Sequence, residues 1–261
     1  MARRKGDCNL MTMKEQNYEM ALDCFLLAGQ IMMESGAETY RVEDTMLRMA
    51  RSQDIEDAQS YVTPTGIILS LGRRQITKIT SITNRITDLH KISLVNNISR
   101  KLTLKIITLD EAYDELLKIQ KTNYFLPIHV QILTASIASS CFMVLFNGLW
   151  SDMPVAFVAG GVGHLAVTLV QEATKVKFFS EFFASLVVGI IAYLAVHFEL
   201  GTELDKIIVG SVMPLVPGVI ITNAVRDLMA GHFTAGIAKG AEAFLTAFAI
   251  GSGIALVVGL F

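Results

Sequence analysis

The chain has 261 residues, a mean hydropathy of +0.49 and a formal net charge of −2. It is more apolar than an ordinary soluble protein and lacks the basic excess of a nucleic-acid binder. The charges are unevenly spread: residues 1–123 hold 17 of the 22 Lys and Arg and 16 of the 24 Asp and Glu, so the first part has the charge density of a soluble domain and the second reads as lipid-embedded. Cys8, Cys24 and Cys141 are odd in number, far apart and without metal-ligand spacing, which argues against a disulfide framework, a structural zinc or any other metal site.

The opening Met-Ala-Arg-Arg-Lys is basic, but Asp7, Asn9, Glu15 and Glu19 follow where a signal peptide needs its apolar core. Residues 1–17 are therefore expected to be an uncleaved tail that stays in the cytoplasm. From Tyr18 to about Ser35, Leu22, Phe25, Leu26, Ile31, Met32 and Met33 form an apolar stripe of helical period. With Glu19, Asp23 and Glu34 included it is too polar to span a membrane, so it belongs inside a small domain. Gly36 is placed to end it in a left-handed conformation. A second helix is predicted over about Thr39–Arg51, with Val42, Met46, Met49 and Ala50 on its apolar face. Glu38, Arg41, Glu43, Asp44 and Arg48 then read most simply as a solvated face with i,i+4 pairs such as Asp44 with Arg48.

The run Ser35-Gly36-Ala37-Glu38-Thr39-Tyr40-Arg41-Val42-Glu43-Asp44-Thr45, inside the longer stretch 28–50, is compositionally unusual. It closely resembles the N-terminal signature of the threonine/serine exporter family.

Two runs rich in β-branched residues follow, Ser60–Leu71 and Gln75–Thr83, with Gly72-Arg73-Arg74 suited to a hairpin turn between them. Pro64 and Gly66 make the start of the first run an edge or a bulge. Helical patterns return at about Asp88–Lys101 and, after an N-cap at Thr108 or Asp110, at about Glu111–Lys121. Residues 18–123 thus read as a compact cytoplasmic α+β domain. No nucleophile elbow, phosphate-binding loop or His-Glu-x-x-His motif is present, and Asp88 and His90, two apart, point to different helix faces. Neither an ATP site nor a cofactor site is expected, and His90 is expected to be structural.

Residues 124–261 carry five apolar segments, at about Tyr124–Phe146, Pro154–Val170, Phe178–Phe198, Ile207–Val225 and Phe233–Phe261. About 20 residues cross a hydrocarbon core about 30 Å thick. The fold class expected is an α-helical multi-pass membrane protein of about five transmembrane helices behind the N-terminal α+β domain. Basic connections (Lys118 and Lys121; Lys175 and Lys177; Arg226) alternate with acidic ones (Asp152; Glu199, Glu203 and Asp205), which puts the N-terminus inside and the C-terminus outside a plasma membrane. Gly236, Gly240, Ala243, Ala247 and Gly251 form a small-residue face that serves packing within the bundle or docking of another subunit, a homo-oligomer included.

The fourth segment is interrupted by Pro214, Pro217 and Gly218. Proline removes a donor and clashes with the carbonyl four residues back, so the break is either a kink or a discontinuous helix whose second half presents a positive N-terminal end to an anion. Beyond it, Thr222 and Asn223 offer hydrogen bonds. Arg226, next to Asp227, reads as an interfacial anchor or as a fork-shaped carboxylate ligand. Lys239 and Glu242 are three apart on one helix face, able to pair with each other as a structural lock or to line an ion path.

Met213-Pro-Leu-Val-Pro-Gly218 followed by Asn223-Ala-Val-Arg-Asp-Leu-Met-Ala-Gly231 is similar to the membrane signature of the same family, so the resemblance covers about Tyr18–Phe261. It implies a gradient-driven exporter of threonine and serine, or of succinate as in the split, two-subunit members. A chain with one membrane part would be the larger subunit, working with a smaller multi-span membrane protein. Pro214, Pro217, Gly218, Asn223, Arg226 and Asp227 would then bind substrate, and Lys239 and Glu242 would couple ions or hold a gate. The competing expectation is a membrane-tethered enzyme or sensor that works through Glu38, Arg41 and Asp44.

Overall fold

The structure, a computed structural model, describes residues 2–72 and 76–260, with side chains from Tyr18 onward. In chain order it forms α1 (Ala2–Glu34), α2 (Thr39–Ser52), β1 (Ala58–Thr63), β2 (Gly66–Leu71), β3 (Ile76–Ser81), α3 (Leu89–Thr103), α4 (Leu109–Lys121), α5 (Ile128–Leu145), α6 (Met153–Thr174), α7 (Lys177–His197), α8 (Leu204–Val212), α9 (Gly218–Met229) and α10 (Phe233–Leu260). Helix α1 begins at Ala2, within the stretch expected as a tail; the side chain of Cys8 lies outside the described residues. The chain divides into two units. The first joins Met1–Tyr124 to Val219–Gly240, and the second joins Phe125–Gly218 to Ala241–Phe261.

In the first unit the apolar stripe of α1 supplies the centre of the core. Leu22, Phe25, Ile31 and Met32 pack with Met46 and Met49 of α2, Ile67 and Leu69 of β2, Val95 of α3 and Leu116 of α4. At Gly29 a Cβ would lie 2.5 Å from Met46 Sδ and 3.2 Å from Ile67 Cδ1, so only glycine lets α1 pass this close to α2 and β2 without a shift. The helix ends where the sequence places the stop. Gly36 has φ +83° and its N–H donates to Met33 O, while Ala37 N–H reaches back to Met32 O.

The sheet has three antiparallel strands in the order β1-β2-β3, one more than the two runs predicted. The first run folds on itself at Pro64-Thr65. Proline has no N–H to give a ladder, and Thr63 Oγ1 closes the turn by accepting from Gly66 N–H (3.1 Å) and donating to Gly66 O (3.0 Å). The second hairpin connection contains Arg73 and Arg74, which lie outside the described residues. Asp88 caps α3 by accepting from Lys91 N–H, and Thr108 with Glu111 forms a capping box at α4. His90 sits edge-on to Tyr124, with ring centroids 4.9 Å apart.

The second unit packs α5, α6, α7, α8 and the later part of α10 through small residues. Gly160 and Gly161 on α6 lie against Ser139 and Ser136 of α5, and at Gly210 on α8 a Cβ would come within 2.5–2.7 Å of Met143 Cβ, Cα and N. Buried Asp152, at the start of α6, accepts from Thr202 N–H, Thr202 Oγ1 and Glu203 N–H, fixing the connection that leads into α8. Helix α10 runs parallel to α7: Glu242 meets Lys177, Gly253 meets Ser185, and Val257 meets Gly189. Helices α5, α6, α7 and α10 are each long and apolar enough to cross a membrane, and a fifth span results if the bent pair Leu204–Leu215 and Gly218–Met229 counts as one. The break falls where the prolines place it, with Met213–Leu215 in a 3₁₀ turn and Gly218 N–H turned onto Val216 O.

Candidate functional site

Two segments almost 190 residues apart meet in the first unit. Between α1 and α2, the loop Gly36-Ala37-Glu38 exposes two carbonyls and, at Thr39, the unpaired first N–H of α2. Each of these groups needs a partner if it is to be buried. Helices α9 and α10 supply them. Asn223 Nδ2 donates to Gly36 O (2.8 Å), Lys239 Nζ donates to Ala37 O (3.0 Å), and Asp227 accepts from Thr39 N–H and Thr39 Oγ1 (2.9 Å each). Asp227 therefore caps α2 from a distant helix, with its negative charge at the positive end of the α2 dipole. Lys239 completes the cluster with an ion pair to Asp227 at 2.8 Å, and both side chains are buried.

The expected pairing of Lys239 with Glu242 gives way to this arrangement. An i,i+3 pair needs only the helix, whereas Asp227 offers Lys239 a fully buried carboxylate. Glu242 instead receives Lys177 Nζ at 3.1 Å in the second unit, to which Pro214, Pro217 and Gly218 also belong.

Beside this cluster, which latches the α1–α2 loop, lies Glu38, only 6% exposed at its side chain, held by Arg226 Nη1 on Oε1 (2.6 Å) and Arg41 Nη1 on Oε2 (3.0 Å). It is not the solvated residue the helical pattern suggested; with the two arginines it lies on the wall of a cavity of about 760 Å³. Burial works to raise the Glu38 carboxyl, yet its own backbone N–H, Arg226 and Arg41 together hold it below the ordinary glutamate value. Glu43 goes the other way: burial raises it, although Val62 N–H and His232 oppose the rise. Ser35 O accepts Asp88 N–H at the loop's start, and Asp44 pairs with Arg48 on the surface as expected.

The rest of the cavity wall comes from α3, which the sequence reading passed over. Ser93, Asn96, Asn97 and Arg100 fall at i, i+3, i+4 and i+7, a polar stripe on one face that was legible as a pattern but not as a site. Val219 and Thr222 bring the first turn of α9 to the same wall. The cavity therefore sees three guanidinium groups (Arg41, Arg100, Arg226), one carboxylate and a set of amides and hydroxyls. Such a set suits a small anion with hydrogen-bonding groups. Among the described residues no cluster of His, Cys, Asp and Glu could hold a metal ion. Burial, with Asp110 nearby, pushes the Cys24 thiol up to about 12, so it stays protonated.

The model of the threonine/serine exporter family matches residues 23–261, both signature segments included. The chain belongs to this family. Similar members include "Probable succinate transporter subunit YjjP" of Klebsiella aerogenes, 25% identical over 86% of this chain and 88% of that one. A protein of the same name from Escherichia coli is 23% identical over 87% and 90%. The "Probable threonine/serine exporter" of Mycobacterium tuberculosis is 21% identical over 87% of this chain but 44% of its own length. No solved structure matches the chain. Membership of the exporter family agrees with the four helices, α5, α6, α7 and α10, that are long and apolar enough to cross a membrane.

Proposed function

We propose that the chain is one subunit of a secondary-active exporter for a small carboxylate-bearing metabolite, with threonine, serine and succinate as the candidates, and that Arg226, Arg41 and Arg100 receive the carboxylate. The observation that supports this most is Glu38 itself. A carboxylate of the chain already sits between two cavity arginines in charge-assisted contact. A substrate carboxylate can exchange with it, while Asn96 and Asn97 meet the rest of the ligand and the first turn of α9 adds its dipole. Because Glu38 is the residue before Thr39, its release loosens the loop that Asn223, Asp227 and Lys239 hold, which links occupancy of the cavity to α9 and α10.

Residues 18–123 are assigned to the cytoplasm, with five crossings and the C-terminus outside. The alternation of basic and acidic connections supports this. So does the parallel course of α7 and α10, when the broken pair α8–α9 is read as a single span between them. A smaller membrane subunit is the expected partner, in keeping with the word "subunit" in two relatives' names.

Inverted membrane vesicles carrying the chain and such a partner should accumulate labelled threonine, serine or succinate, and Arg226→Gln and Arg100→Gln should abolish uptake. No uptake of any of the three, or uptake indifferent to both substitutions, would sink the assignment.

A further inference from the structure

The second unit holds a group of ionisable side chains that the carboxylate site does not use. Glu181, four residues into α7, is 6% exposed, and its Oε2 has no hydrogen-bond partner. Thr246 on α10, fully buried, turns its hydroxyl toward the same carboxyl. One turn away, Lys177 Nζ sits on Glu242 Oε1 at 3.1 Å. The charged groups that bear on Glu181 are Lys177, on its own helix, and Glu242, on α10. Helices α6 and α8 also pack on α7; their titratable groups are His164 and Glu172 on the one and Asp205 and Lys206 on the other.

Lysine and Glu242 compensate each other, which leaves Glu181 as one uncompensated negative charge inside a bundle of apolar helices. An unpaired buried charge costs several kcal/mol unless it finds a partner or is neutralised. Oε2 is short of one donor, and a bound proton supplies it while cancelling the charge. A metal cation in the same place would need several oxygen ligands and would stand beside the Lys177 ammonium, which repels it. The geometry points to Glu181 as a proton-binding carboxyl of the membrane part, tuned by the Lys177–Glu242 pair one turn away. In a gradient-driven exporter it gives an inward-moving proton a place to rest, separate from the arginine-lined cavity.

The test uses the full-length chain in membranes and needs neither substrate nor partner, so its failure and that of the carboxylate site are separable. Dicyclohexylcarbodiimide modifies carboxyls that are protonated in apolar surroundings, and peptide mass spectrometry locates the label. Glu181 should be labelled, less so as pH rises, and equally in sodium and potassium salts. Lys177→Gln should move the labelling midpoint up by about one pH unit or more, and Glu242→Gln, which frees Lys177 for Glu181, should move it down by a similar amount. The proposal is overturned by an unlabelled Glu181 at every pH, by protection with sodium, which would make this a sodium site, or by midpoints that neither substitution moves.

Discussion

Replacing Lys239 with Met removes the cation from the latch and leaves the Asp227 carboxylate fully buried with only the two bonds from Thr39. Breaking a buried pair from one side costs about 3–5 kcal/mol, because the remaining charge has lost its compensation. Asp227→Asn is expected to cost a similar amount from the other side, since Lys239 then keeps only Ala37 O and the 3.4 Å contact with Thr39 Oγ1. The double variant leaves no charge stranded. It loses chiefly the charged bond to Ala37 O, about 1.5–3 kcal/mol, and should be more stable than either single variant. Thermal unfolding of the full chain in mild detergent, read for all four members of the cycle, gives the order directly. If the double variant falls as far as the two single losses added together, the two charges do not compensate each other and the description of the latch is wrong.

Glu38→Gln should bind labelled succinate or threonine more tightly than the parent, because the competing internal carboxylate is gone, whereas Arg100→Gln should bind more weakly; equilibrium binding to the full chain reads both. The depressed Glu38 carboxyl contributes stability that is complete above the ordinary glutamate value of 4.5 and is lost as pH falls through its lower folded value. An acid titration of unfolding should therefore show the parent losing stability below that value and Glu38→Gln losing less. Gly210→Ala places a Cβ against the Met143 backbone and should cost about 1–3 kcal/mol, while Gly240→Ala, with nothing within 4 Å, should be neutral or gain up to about 1 kcal/mol of helix propensity. Equal melting temperatures for those two would contradict the close packing of α8 on α5.

Period and capping chemistry made most elements readable: the stop at Gly36, the cap at Thr108 and the break at Pro214–Gly218 all depend on local backbone rules that a single sequence displays. Pairing across long separations does not. Lys239 has Glu242 three residues away and Asp227 twelve residues away, and only the burial of the second decides between them. Glu38 looked solvated because helical periodicity reports which face of α2 a residue occupies, not what another helix brings to that face. Arg100 was invisible for the same reason, since a polar stripe on α3 has the same composition whether water or a cavity lies over it. The charge step near residue 123 marked where lipid-like sequence begins, but it could not show that residues 219–240 return to complete the first unit.

That return orders events during synthesis. Residues 1–124 leave the ribosome long before Asn223, Asp227 and Lys239 exist, so the open end of α2 and the carbonyls of Gly36 and Ala37 must wait in water while four further helices are made. The first unit is thus a body whose closing piece is translated late. A chain cut after Tyr124 would carry Glu38 and Arg41 without Arg226, and so half of the carboxylate cradle. Ligand studies on such a fragment would report on an unfinished object, and a negative result from one would say little about the whole chain.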